Sequence, residues 1–169
     1  TTTDADRAIA ALTGEGVGIH RGPNGEVYSL NLLQSDGQLQ YLKHFPTVRS
    51  IALSTPRITD AGIESLAYAK QLTSLTIMRT SVTDAGLRKL DQLPNLERLS
   101  LSGQFTREGL RQLQRIKPLR SLALFSPIDE RVLGFLADVS QINNLSLFEV
   151  RLGKDVVDII NQCQNLRSC

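Results

Sequence analysis

Tryptophan is absent from this 169-residue chain, and aromatic residues make up only 5% of it. An interior packed to ordinary density must therefore be filled by aliphatic side chains, leucine above all. Cysteine is nearly absent too: Cys163 and Cys169 alone make no disulfide framework. The only histidines, His20 and His44, have no Cys, Asp or Glu beside them at metal-ligand spacing, and each reads as a surface or hydrogen-bonded structural residue. No apolar run approaches the roughly 18 residues of a membrane span. A net charge of +2 is too small to demand an electrostatic partner. The glycine-rich stretch TGEGVG lacks both the following Lys-Ser/Thr and a preceding strand, so it is no phosphate loop. No serine nucleophile turn occurs either, so catalysis and a cofactor are not expected. A chain that opens on Thr1 without Met is expected to be a trimmed or processed piece.

What the chain does have is a period. The pattern Leu-x-x-Leu-x-Leu appears as Val48-Ile51-Leu53, Leu72-Leu75-Ile77, Leu96-Leu99-Leu101, Leu119-Leu122-Leu124 and Ile142-Leu145-Leu147. Their first positions are separated by 24, 24, 23 and 23 residues. An earlier copy, Val27-Leu30-Leu32, precedes Val48 by 21, and a last begins at Leu166 and stops at Cys169. A fixed period of this length signals a solenoid.

Each copy alternates at first, as in Leu99-Ser100-Leu101-Ser102, which predicts a short half-buried strand. It then takes helical spacing, as in Leu87-Leu90-Leu93 and Leu110-Leu113-Ile116. One copy cannot bury both faces, whereas stacked copies share a continuous core. Parallel strands spaced by about 4.8 Å against helices about 10 Å wide put the strands on the concave side.

The most regular segment repeats Ile/Val-Thr-Asp-Ala-Gly-Ile/Leu, at Ile58–Ile63 and Val82–Leu87. Thr59 and Thr83 suit helix N-caps, and Asp60 and Asp84 then fall in a first turn, where negative charge meets the helix dipole. Gly62 and Gly86 leave room for close packing of successive coils. Thr106-Arg107-Glu108-Gly109 keeps the cap and moves the acid, a drift that a metal site would not tolerate. Pro46, Pro94 and Pro118 stand just before the next strand, where a helix must end.

This pattern resembles the leucine-rich repeat family across nearly all of residues 27–169. The segment VTDAGLRKLDQLPNLERLSLSG looks like repeats of bacterial, notably planctomycete-type, proteins, and is similar to the cysteine-containing repeats of eukaryotic ubiquitin-ligase substrate receptors. The resemblance implies a right-handed α/β solenoid that binds other macromolecules, most often proteins, without catalysis. The position after the strand, often Asn, Cys or Thr in the family, holds Thr80 in one copy but Pro56 and Val150 in others. The buried side-chain ladder there is therefore expected to be incomplete. The stretches after Leu101 and Leu124 are each one residue short, which predicts tighter loops.

Residues 1–26 read as an N-terminal cap: a helix from about Asp4, with Ile9 and Leu12 on one side and Gly14 as its stop, then a hairpin turning at Pro23-Asn24-Gly25. Residues 27–169 are the repeats, about six with the last incomplete. The C-terminal end has no equivalent cap, so the natural chain is expected to continue there or a second copy to cover it by self-association. Cys163 takes the phase of Leu93 and is expected to point inward.

Residues between the inward leucines project from the concave face. One column, Asn31, Ala52, Thr76, Ser100, Ala123 and Ser146, is small and weakly polar. The other runs Leu33, Ser54, Met78, Ser102, Phe125 and Phe148. Met78, Phe125 and Phe148 have the character of protein-binding anchors, with Arg79, Arg98 and Glu149 as a polar rim. Equally, Phe125 and Phe148 can simply pack on each other across adjacent strands. The competing surface is convex and basic: Arg88, Lys89, Arg107, Arg111, Arg115 and Lys117. It suggests phosphate or nucleic-acid binding, although a solvated helix face is the commoner reading. A structural spacer within a larger protein is the remaining alternative.

Overall fold

The computed structural model describes residues 2–125, 130–149 and 158. Among them, seven strands form one sheet in chain order. They are β1 (Gly18–Arg21), β2 (Val27–Leu33), β3 (Ser50–Leu53), β4 (Ser74–Ile77), β5 (Arg98–Ser102), β6 (Ser121–Phe125) and β7 (Asn144–Phe148). From β2 onward every neighbouring pair is parallel. The expected repeat register is met residue by residue: Ile51, Leu75, Leu99, Leu122 and Leu145 stand in line across the sheet. Leu53, Ile77, Leu101, Leu124 and Leu147 form the second line, and Val48, Leu72, Leu96, Leu119 and Ile142 are buried beneath the strand starts. A single buried core, aliphatic except for Phe45, Phe105 and Phe135, thus runs through the coils, and the chain is an α/β solenoid.

The return half of each coil is a short α-helix followed by a 3-10 segment. The helices are α2 (Asp36–Leu39), α3 (Asp60–Ser65), α4 (Asp84–Arg88) and α5 (Arg107–Arg111). The 3-10 segments that follow them are Gln40–His44, Leu66–Tyr68, Lys89–Gln92 and Gln112–Arg115, and Glu130–Asp138 is 3-10 as well. Leu87-Leu90-Leu93 reads as ordinary helical spacing, but a strict step of three is the period of a 3-10 turn, in which residues three apart eclipse. Leu87, Leu90 and Leu93 consequently share one buried line. The segments Gln40–His44, Lys89–Gln92 and Gln112–Arg115 close before Pro46, Pro94 and Pro118, whereas Leu66–Tyr68 and Glu130–Asp138 close with no proline before the next strand. Asn95 Nδ2 donates to the Lys70 carbonyl of the previous coil at 2.8 Å.

At the N-terminal end, α1 (Asp4–Gly14) is capped by Thr3, whose hydroxyl accepts from Asp6 N at 3.1 Å while the Asp6 carboxylate accepts from Thr3 N at 2.9 Å. The helix ends at Gly14 as expected, and the chain turns away at Gly16, whose φ of 80° is the left-handed conformation glycine tolerates. Strand β1 pairs antiparallel with β2, Ile19 opposite Leu30.

One expected orientation is reversed. Leu33, placed by alternation on the open face, is 1% exposed and pairs with Leu53, because the register shifts between Leu30 and Leu33. One extra residue moves every following side chain to the other face, so Leu33 takes the inward place assigned to Leu32. The second outward column therefore begins at Ser54.

Candidate partner-binding surface

The open face of the sheet carries the two outward columns. The first, from Asn31 to Ser146, is half-buried throughout. Asn31 Nδ2 lies 3.1 Å from His20 Nε2, which gives that histidine of β1 a structural partner on β2. The second column holds the anchors. Phe125 pairs with Phe148 across β6 and β7, and their rings stack at 4.4 Å between centroids with planes 8° apart. Mutual packing and exposure coexist here: the stack leaves Phe148 46% exposed. Ser102, one strand before Phe125, is 7% exposed and forms the floor between Phe125 and the half-buried Met78.

A shallow groove of about 790 Å³ brings five of the six expected site residues together: Met78, Arg79, Phe125, Phe148 and Glu149. Arg98 is not among them. It begins β5 and is exposed on the same face, but four residues before Ser102, or about 13 Å away along the strand. Thr80, Gly103 and Gln104, which sequence reasoning did not assign to this site, complete the groove wall. Arg79 and Glu149 are both exposed, and among the described residues neither has an ion-pair partner. Both hold left-handed backbone, φ 53° at Arg79 and 57° at Glu149, and these are the non-glycine residues among those described that do so. The conformation costs an L-residue about 1–2 kcal/mol.

The same connection, a few residues further on where the chain enters the helix, is built for stability. Thr59, Thr83 and Thr106 are N-caps as expected, accepting from Ala61 N, Ala85 N and Gly109 N. The aspartates do more than meet a dipole. Asp36 accepts from Thr59 N at 2.9 Å and Thr59 Oγ1 at 2.6 Å. Asp60 accepts from Thr83 at 2.8 and 2.6 Å, and Asp84 from Thr106 at 3.1 and 2.5 Å, through the same pair of atoms. Each carboxylate thus clamps the cap residue of the next coil. The glycine follows from this: a Cβ on Gly62, Gly86 or Gly109 would run into the carboxylate of Asp36, Asp60 or Asp84. Arg107 replaces the next aspartate and reaches instead to the Gly134 carbonyl, Nη2 at 3.3 Å. After the strands, Thr80 Oγ1 accepts only from Val82 N at 3.4 Å, and the Pro56 carbonyl accepts from Ser81 Oγ at 2.7 Å. One residue fewer before Thr106 is matched by Phe105, which fills the buried place of Ile58 and Val82 with a larger ring.

The convex basic residues are interleaved with acids. Lys89 pairs with Glu64, Arg111 Nε with Asp138 at 3.5 Å, and Arg115 with Asp91 at 3.9 Å. Among the described residues no cluster of metal-ligating side chains occurs, and no helix is long and apolar enough to cross a membrane. Cys163, Cys169, Val150, the loop after Leu124 and the C-terminal end proposed for self-association lie outside the described residues.

No protein-family model matches the chain, and no curated protein does. Among solved structures it is similar to an internalin (InlF) of Listeria monocytogenes, at 26% identity and a TM-score of 0.55, over 83% of this chain and 40% of that one. A PEPR1–AtPEP1 complex matches at 18% identity and a TM-score of 0.41, over 79% of this chain and 20% of that one. The chain spans less than half the length of either. With the register described above, the fold is a leucine-rich-repeat solenoid.

Proposed function

We propose that this chain is a non-catalytic protein-binding module whose open sheet face, centred on Met78, Phe125 and Phe148, takes a partner protein, with Arg79 and Glu149 at the flanks. One observation carries the reading: a large aromatic side chain, Phe148, stands 46% exposed on a rigid parallel sheet, in a groove with Phe125 and Met78. Rigid aromatic surface loses little conformational entropy on binding, so such residues recur as interface anchors. Arg98 belongs to the same face and meets only a partner broad enough to cover the whole strand. In this reading residues 1–26 cap the solenoid and residues 27–169 are its repeats; the antiparallel β1 at the sheet edge supports it. The basic convex alternative is less supported, because Lys89, Arg111 and Arg115 already face carboxylates.

The test is capture of a partner by the wild-type chain and by the Phe125→Ser/Phe148→Ser variant, with far-UV circular dichroism showing that the fold is kept. Loss of the partner by the variant, with Arg111→Ala unaffected, is the expected result. The same partner held equally by both chains refutes the site.

A further inference from the structure

The groove has a direction as well as an apolar floor. Arg79 follows β4 and Glu149 follows β7, at the same repeat position three coils apart. Three inter-strand steps place the two backbones about 14 Å from each other. The cation and the anion stand at opposite ends of the strip formed by Met78, Ser102, Phe125 and Phe148, and among the described residues neither charge is neutralised by the protein itself. Both sit on left-handed backbone that a glycine would adopt without strain, so the chain holds charged side chains there at a cost in stability.

From this we infer that the partner presents an extended segment that crosses β4 to β7 at right angles to the strands, with an acidic residue at Arg79, a basic residue at Glu149 and an apolar one between them. The inference rests on the reading of this face as the partner surface. An extended chain advances about 3.4 Å per residue, so 14 Å is about four steps. In such a chain residues i, i+2 and i+4 face the same side. The acidic and basic residues therefore occupy i and i+4 in either order, and the residue at i+2 lies over Ser102 against the edge of Phe125. Recognition is by charge register: two acids or two bases at i and i+4 leave one like-charge contact at an end of the groove.

The test uses fluorescein-labelled synthetic peptides in three sets, Glu-x-Φ-x-Lys, Glu-x-Φ-x-Glu and Lys-x-Φ-x-Lys, where Φ is Leu, Phe or Tyr and x is Ala, Ser or Thr. Binding is read by fluorescence anisotropy at low ionic strength. The wild-type chain should prefer the mixed set by about fivefold, the effect of one exposed charge pair. Arg79→Glu should move the preference to Lys-x-Φ-x-Lys, and Glu149→Lys to Glu-x-Φ-x-Glu. Neither side chain is buried, so both variants should keep the wild-type circular dichroism spectrum. No binding by any set, or a ranking that neither substitution moves, overturns the inference. If the ranking stays fixed while Phe148→Ser still abolishes binding, the surface stands and the charge register falls. If Phe148→Ser also changes nothing, the surface reading falls with it.

Discussion

Replacing a helical glycine by alanine ordinarily stabilises a helix by about 0.5–1 kcal/mol, yet Gly109→Ala should destabilise this protein. The three nearest atoms to a Cβ built there all belong to the Asp84 carboxylate. To make room, Asp84 has to release Thr106 N and Oγ1, two bonds to a charged acceptor now at 3.1 and 2.5 Å. Such bonds contribute about 1.5–3 kcal/mol when buried. Asp84 is half-buried, so about 1 kcal/mol each is the fitting figure, or about 2 for the pair. Less the helix gain, Gly109→Ala should cost about 1–1.5 kcal/mol, and Asp84→Ala alone about 2. In the Asp84→Ala background the obstacle is gone, and Gly109→Ala should change sign and restore about 0.5–1 kcal/mol. The double-mutant cycle therefore carries a coupling of about 2 kcal/mol, and any loss of the Asp84 charge at the start of α4 cancels because it is common to both arms. Urea unfolding followed by circular dichroism is the assay, since the chain has no tryptophan. Equal effects of Gly109→Ala in both backgrounds, within about 0.5 kcal/mol, would refute the clamp as the reason for the glycine.

Other consequences concern the ends and the open face. Arg79→Gly relieves left-handed strain of about 1–2 kcal/mol and adds unfolded-state freedom worth about 0.5–1, so urea melts should show a net gain of about 0.5–1 kcal/mol. Phe148→Ser removes a half-exposed ring and should lower stability by no more than about 1 kcal/mol by the same measurement. Asp6 has a pKa below the ordinary carboxylate value, chiefly because its carboxylate accepts from Thr3 N, and also because it accepts from the Thr3 hydroxyl. A depressed folded-state pKa gives stabilisation that is present above the unfolded value of 3.8 and is lost as pH falls through the lower folded value. Amide exchange in α1 should accordingly quicken in that acid range, and Asp6→Asn should flatten the dependence. Retention on heparin at an ionic strength of about 0.15 M should be negligible, because Lys89, Arg111 and Arg115 face carboxylates and screening weakens the rest.

Much of the coil was legible because leucine spacing reports burial directly. Leu75 beside Leu99 beside Leu122 is a consequence of period alone. The one register error, at Leu33, arose because alternation cannot show an extra residue within a strand when both Leu32 and Leu33 are apolar. The 3-10 segments were visible in principle, since Leu87-Leu90-Leu93 steps by three without the compensating four of an α-helix. Met78, Phe125 and Phe148 were found because outward positions follow from inward ones, and Arg79 and Glu149 by their charge, while Thr80, Gly103 and Gln104 are uncharged and lie beyond the strand ends, where period gives no direction. The Asp–Thr clamp escaped because its partners are 22 or 23 residues apart, and a local reading assigns each aspartate to its own helix. The signal was nonetheless present: aspartate, threonine and glycine recur together, and only contact between coils explains why all three are needed.

Two stretches of each strand-to-helix connection divide the work. At the helix starts, three consecutive coils reuse one clamp in which cap, carboxylate and glycine depend on one another, so single substitutions there should be coupled and costly. A few residues earlier in the same connection, just past each strand, the repeat position holds Thr55, Arg79, Gly103, Ser126 and Glu149, five different residues on the same scaffold. Each coil of a solenoid contacts only its neighbours, so a clamp that fixes every helix start lets the residues just before it vary their chemistry without loss of register. That separation explains how the chain sustains two strained charged residues and an exposed aromatic ring within one groove. It also requires that substitutions at 79, 148 and 149 change binding far more than stability, while those at 60, 84 and 109 do the reverse.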